Sequence, residues 1–172
     1  MVTTKHWFHQ YLIEYYSNGK TLAVDIGCGL RNYHDNYKCK YIGLDLPTYY
    51  NVKLKPDIYG EASVLPFKNN SFDLAISYSV IPMIKEINRA LSEMHRILKP
   101  NGIGLVIIMN LRGLALQPQT QFANRYDSRL LNKKLKEHKF KSILWKNPKG
   151  FIWSKWFDTT SVYSYAVVTP IK

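Results

Sequence analysis

Thr21-Leu-Ala-Val-Asp25-Ile-Gly27-Cys-Gly29 decides how this chain folds. A short apolar run reaches an acidic residue and then two glycines one position apart, which spells a buried strand ending in a tight turn. Such a turn needs glycine because a side chain there would keep a ligand away from the backbone. Farther on, Tyr41-Ile-Gly-Leu-Asp45 repeats the theme of a buried strand that ends in an acid. Apolar strand interiors give Asp25 and Asp45 little structural reason to be charged, so both read as ligand-binding candidates.

Working outward, residues 4–17 predict an opening helix with Trp7, Phe8, Tyr11, Leu12, Tyr15 and Tyr16 at helical spacing, closed by Ser17-Asn18-Gly19. A brief helix fits residues 31–37, a short third strand 56–60 and a fourth strand 71–77. The clearest helix is 84–98, where Ile84, Ile87, Leu91, Met94 and Leu98 form a stripe and Lys85, Glu86, Arg89 and Glu93 lie outside it. Lys99-Pro100-Asn101-Gly102 reads as a helix stop, and 103–110 as a fifth strand that is apolar on both faces. A polar helix fits 128–138, and 141–145 with 162–168 fit an antiparallel pair at one sheet edge. Strands alternating with helices predict an α/β fold with a doubly wound, mostly parallel sheet and helices on both faces. No repeat or linker interrupts it, so residues 1–172 are expected to form a single domain.

The 172 residues include 24 Lys and Arg against 12 acids, a net charge of +12. The excess is uneven: residues 1–100 carry 12 basic and 9 acidic side chains, residues 101–172 carry 12 and 3. A basic C-terminal part suits anionic partners such as nucleic acid, phosphorylated metabolites or an acidic membrane surface, and equally serves solubility. The longest apolar stretch, residues 103–109, is too short for a membrane span, and the N-terminus lacks the apolar core of a secretory signal. A soluble, cytoplasmic protein is expected. Cys28 and Cys39 form no C-x-x-C pair, and no histidine–acid spacing suggests a metal.

The turn at Gly27 and Gly29 with Asp45 following suits two nucleotide-type cofactors, because Asp45 can accept hydrogen bonds from ribose hydroxyls in either. In a dinucleotide turn the third glycine would fall at position 32, which is Asn32. A pyrophosphate would also be repelled by Asp25 directly before the turn, whereas the ammonium of a methionine tail tolerates it. Both points favour S-adenosyl-L-methionine.

Five segments then occur in order: Val24-Asp-Ile-Gly-Cys-Gly29, Pro56-Asp-Ile-Tyr-Gly-Glu61-Ala62, Leu65-Pro66-Phe67, Asn70-Ser-Phe72-Asp73-Leu and Glu93-Met-His-Arg96-Ile-Leu98-Lys99-Pro100-Asn101-Gly102. Together they resemble class I S-adenosylmethionine-dependent methyltransferases of the type related to ubiquinone and menaquinone biosynthesis enzymes, over roughly residues 20–110. The resemblance implies a Rossmann-like fold, S-adenosylmethionine as cofactor and methyl transfer as activity. It implies that Gly27, Cys28 and Gly29 bring backbone to the methionine and ribose, and that Asp25 orients the methionine ammonium. Asp45 would hold the ribose diol and Leu46 touch the adenine face. Glu61, where the family usually has aspartate, would face the adenine amino group, with the Ala62 amide on the ring. Ser77 and Tyr78 would line the methyl group's exit.

The chain departs from that family in carrying Arg31 where a third turn glycine is usual, and Ile81-Pro82-Met83 where related enzymes often place a histidine pair. No histidine base is therefore carried over; Tyr11, His6, His9, Tyr78 and His95 are the residues that could move a proton. The Asn-Pro-Pro-Tyr, Pro-Cys and ribose-methylating lysine–acid sets are missing, which removes most nucleic-acid routes; a small-molecule acceptor is favoured, with protein or RNA as variants. Lys146-Asn-Pro-Lys149-Gly-Phe151-Ile-Trp153-Ser-Lys155-Trp156-Phe157 interleaves cations with rings and fits either a pocket wall or a nucleic-acid surface. The competing function is a non-catalytic module of this fold that binds nucleic acid or a partner protein, with a homodimer also open.

Overall fold

A computed structural model describes residues 7–29, 33–47, 55–109, 128–144 and 163–172. Its elements are α1 (Trp7–Ser17), β1 (Leu22–Ile26), β2 (Lys40–Asp45), β3 (Ile58–Tyr59), β4 (Phe72–Tyr78), α2 (Ile87–Ile97), β5 (Leu98–Met109), α3 (Ser128–Glu137), β6 (Phe140–Leu144) and β7 (Tyr163–Pro170). Among the described residues one sheet contains all seven strands, in the order β3-β2-β1-β4-β5-β7-β6. Pairing is parallel from β3 through β5, while β7 runs antiparallel between β5 and β6. Because β2 and β4 lie on opposite sides of β1, the chain reverses direction across the sheet there, and the carboxyl ends of β1 and β4 open a crevice.

Alternate strand residues feed two cores, which is why the strands read as continuous apolar runs. Ala23, Leu74, Ile76, Leu105, Ile107 and Val167 face α1, packing on Leu12 and Ile13. Val24, Ala75, Val106, Ile108, Ala166 and Val168 face α2 and α3, packing on Leu91, Met94, Leu131 and Leu135. The helices thus cover both faces, as expected.

Four elements differ from the expectation. The buried face of α1 is His9, Leu12, Ile13 and Ser17 rather than the full aromatic stripe, since Tyr15 is about half exposed and stacks on Tyr11 at 6.0 Å. Helix α2 starts at Ile87 because Pro82 sits in a one-turn 3-10 helix, Ile81–Met83, and Ile84 is extended. At its other end α2 runs straight into β5. Lys99-Pro100-Asn101-Gly102 forms a bulge there, with Asn101 at φ 64°, so that Phe72 pairs with Leu98 but Leu74 with Ile103. Between β1 and β2 the expected brief helix is one 3-10 turn, His34–Asn36. Residues 4–6, 31–32, 110 and 145–162, the last including the cation–aromatic tail, lie outside the described residues.

The amino ends of the central strands are tied by Asp73 at the start of β4. Its carboxylate accepts from the Thr21 hydroxyl, from the Thr21 and Leu22 amides at 3.2 and 3.1 Å, and from Lys99 Nζ at 3.0 Å. Partial burial opposes ionisation, but the bonds from Thr21, Lys99 and Leu22 outweigh it and hold the carboxyl well below the usual range. A depressed pKa stabilises the fold above the ordinary aspartate value, and the effect fades as pH falls through the folded value. Asp73→Asn should cost about 1–2 kcal/mol at neutral pH, a figure kept low by partial exposure. Urea unfolding should show the gap between wild type and variant narrowing steadily as pH falls below about 5; a pH-independent gap would show that the carboxylate's charge is not what matters.

Candidate functional site

The turn after β1 is built against the end of β2. The Gly27 and Cys28 amides both donate to the Leu44 carbonyl, at 2.7 and 3.1 Å, and the Gly29 amide donates to Asp45 Oδ2 at 2.6 Å. The other oxygen, Asp45 Oδ1, accepts from the Leu46 amide at 2.7 Å. The two sequence segments that each ended in an acid therefore meet, and Asp45 is fixed beside the second glycine. A turn that binds pyrophosphate keeps its amides aimed at the phosphate oxygens. Here three successive donors are committed to β2, which disfavours a dinucleotide.

The two glycines do different jobs. Both adopt left-handed backbone, φ 77° at Gly27 and φ 52° at Gly29. A Cβ on Gly27 would lie 2.1 Å from Val80 Cγ2, so its bare face is filled by the loop that follows β4. A Cβ on Gly29 would meet nothing within 4 Å. The open approach to the backbone is thus at Gly29, beside Asp45, and Cys28 between them is buried. Leu46, 42% exposed, stands next to Asp45 as an apolar surface on which a flat ring could lie.

Asp25, 7% exposed, lies near the end of β1, one strand position away from Gly43 on β2 and Ile76 on β4. Its carboxylate neighbours the buried phenol of Tyr37. Ser77 is buried at the carboxyl end of β4, and its hydroxyl has no hydrogen-bond partner. Tyr78 packs on His9 at 4.6 Å and edge-on to Tyr33 at 5.4 Å, while the Tyr33 hydroxyl and His9 Nδ1 are 3.3 Å apart. Two residues considered as proton carriers, His9 and Tyr78, are therefore in contact at the end of β4. His95 is not: its Nε2 meets the Ile171 carbonyl at 3.1 Å and its ring packs on Phe140, at the amino end of β6. His6 lies outside the described residues.

Glu61 is exposed, bonded by the Ser63 hydroxyl at 2.6 Å, and Ala62 is partly buried against the α2-side core. What holds this segment is a clasp the sequence reading did not assign. Glu93 and Arg96 on α2 pair at 2.7 Å; Arg96 donates to the carbonyls of Leu65 and Phe67, and Glu93 accepts from the Leu65 amide at 2.8 Å. Mainly through Arg96, the Glu93 carboxyl is lowered below its usual range. The signal was the i, i+3 acid–arginine pair on a helix facing a proline turn.

Gly27→Ala combines left-handed strain with overpacking against Val80, and should cost about 2–5 kcal/mol. Gly29→Ala, strained but unobstructed, should cost about 1–2 kcal/mol. Chemical denaturation of both, and of Gly27→Ala combined with Val80→Ala, checks the assignment. Equal losses, or no recovery in the double variant, would mean that Val80 does not set the need for glycine.

Among the described residues no helix is long and apolar enough to cross a membrane. Residues 24–106 match a family described as a methyltransferase domain. An uncharacterised protein of Methanocaldococcus jannaschii is 32% identical over 104 residues, covering 58% of this chain and 46% of that protein. The human mitochondrial arginine-hydroxylase NDUFAF5 is 32% identical over 100 residues, covering 48% of this chain and 27% of that protein. The chain thus spans less than half the length of these curated relatives. A solved SAM-dependent methyltransferase of Thermotoga maritima superposes with a TM-score of 0.68 at 19% identity, covering 98% of this chain and 96% of that one, which establishes the shared fold. With its strands in this order and its glycine turn closed onto Asp45, the chain has the fold of the S-adenosylmethionine-dependent methyltransferases and matches the methyltransferase-domain family over residues 24–106.

Proposed function

We propose that this protein transfers a methyl group from S-adenosylmethionine to a small-molecule acceptor, and that Asp25, Gly27, Cys28, Gly29, Asp45, Leu46, Glu61, Ala62, Ser77 and Tyr78 frame the cofactor. The observation that carries the reading is the Asp45 carboxylate fixed beside the open face of Gly29. Each Asp45 oxygen accepts one backbone bond and keeps lone-pair capacity for a ribose hydroxyl. Leu46 supplies apolar contact for the adenine, and the Glu93–Arg96 clasp steadies the segment with Glu61 and Ala62.

S-adenosylmethionine, when bound, supplies an electrophilic methyl group. The protein's task is then orientation, since holding two reactants in line for attack removes several kcal/mol or more of barrier. Ser77, with its unsatisfied buried hydroxyl at the tip of β4, can bond an acceptor or cofactor group there. Tyr78, held by His9 and Tyr33, forms the neighbouring wall. Among the described residues, the cations Lys139 and Lys172 lie with His95 at the opposite end of the sheet from this crevice. That distribution supports a small acceptor over a nucleic acid steered into the site by charge.

Calorimetric titration with S-adenosylhomocysteine should show binding, and Asp45→Ala should weaken it by about 1–3 kcal/mol through loss of a pair of charge-assisted bonds. No heat at millimolar ligand would overturn the cofactor reading, and unchanged affinity in the variant would overturn the role of Asp45. Incubation with methyl-labelled cofactor and fractionated metabolites, protein and RNA then reads the transfer itself; label in RNA or protein alone would refute the small-molecule acceptor.

A further inference from the structure

Six adjacent strands, from β2 across the sheet to β6, each carry a lysine at the end away from the crevice. Lys40 opens β2, Lys20 and Lys68 shortly precede β1 and β4, Lys99 is the second residue of β5, and Lys139 directly precedes β6. Antiparallel β7 brings Lys172, just past its carboxyl end, to the same side. Strands in a sheet lie about 4.8 Å apart, so the six lysines spread over roughly 24 Å. Neighbours fall within a Debye length of about 10 Å near 0.1 M salt, so their fields add. Lys40, Lys68, Lys139 and Lys172 are exposed. Among the described residues no carboxylate forms an ion pair with Lys20, Lys40, Lys68, Lys139 or Lys172; Asp73 and Glu14 engage Lys99 and Lys38 instead. The acids Asp25, Asp45 and Glu61 stand at the other ends of the strands. The sheet is therefore electrically polar along its strands.

Two features of this edge indicate what it meets. The row is made of lysine, and the neighbouring Arg96 is taken up by Glu93 and by the carbonyls of Leu65 and Phe67. Guanidinium forks grip nucleic-acid phosphates in fixed geometry, whereas ammonium groups on flexible stems supply a diffuse positive field. Ile171, 57% exposed, stands between Lys172 and Lys139, whose carbonyl accepts the Ile171 amide at 2.8 Å. An apolar tip set among cations gains by entering a headgroup layer, and a phosphate chain offers it nothing. We propose that this lysine edge is a docking surface for an acidic lipid bilayer, met peripherally, with the crevice turned toward water. That orientation leaves the crevice open to a dissolved acceptor. The proposal stands apart from the cofactor reading, because the row lies at the opposite ends of the strands.

Cosedimentation with vesicles of phosphatidylcholine alone, and of equal parts phosphatidylcholine and phosphatidylglycerol, tests it. Wild type should sediment with the acidic vesicles only at about 0.1 M salt, and should be released near 1 M, where the Debye length falls to about 3 Å. Lys40→Gln, Lys68→Gln and Lys139→Gln combined should weaken partition roughly a hundredfold, about fivefold for each lysine near an acidic surface. Lys85→Gln, Arg129→Gln and Lys133→Gln combined remove the same charge from α3 and the loop before α2, and should weaken it by less than about threefold. Thermal unfolding establishes that both triple variants are folded. Wild type failing to sediment with acidic vesicles, or sedimenting equally with neutral ones, overturns the proposal. So do equal losses in the two triples, and tighter binding to a single- or double-stranded oligonucleotide than to acidic vesicles at equal phosphate concentration.

Discussion

Three amides in succession, from Gly27, Cys28 and Gly29, converge on the last two residues of β2. Everything at the crevice depends on that convergence. It pulls the turn sideways onto the neighbouring strand, holds Asp45 in one orientation and leaves the bare side of Gly29 facing outward. It also uses donors that a phosphate would require. Left-handed backbone at both glycines makes the geometry reachable, since an L-residue there would be strained by its own Cβ.

The sheet is anchored at one end and equipped at the other. At the amino ends of the strands, Asp73 gathers Thr21, Leu22 and Lys99 into one clasp. At the carboxyl ends lie the turn, Asp45, Ser77 and the loop through Val80. Two cores of alternate strand residues run between them, each closed by its own helices. A parallel sheet covered on both faces cannot open along its length without exposing apolar surface, so ligand access is confined to the strand tips.

Much of this was legible in the residues. Apolar runs ending in Asp25 and Asp45 located the two strands, and their spacing predicted the meeting that the hydrogen bonds display. The α2 stripe and the edge pair were legible for the same reason, a strong period over enough residues. Pairing between distant segments was not. Nothing local announces that Val80 will sit over Gly27, that Arg96 will hold Leu65 and Phe67, or that Tyr37 will reach Asp25. At α1 the aromatic spacing marked the helix but not which side is buried, since Tyr15, with a polar tip, lies at the surface. The bulge at residues 99–102 was read as a stop because its turn residues are real; only the pairing of Leu98 with Phe72 shows that the strand has already begun.

Val80 resting in the hollow of Gly27 joins the turn after β1 to the loop after β4. In the proposed reaction the loop after β4, strained at Ser79 with φ 58°, borders the acceptor's side and the turn the nucleoside's. A shift in either has to be transmitted through that methyl-to-backbone contact, because a close-packed interior has no slack to absorb it. In the proposed reaction, what is bound on one side of that contact bears on the other side through a single valine.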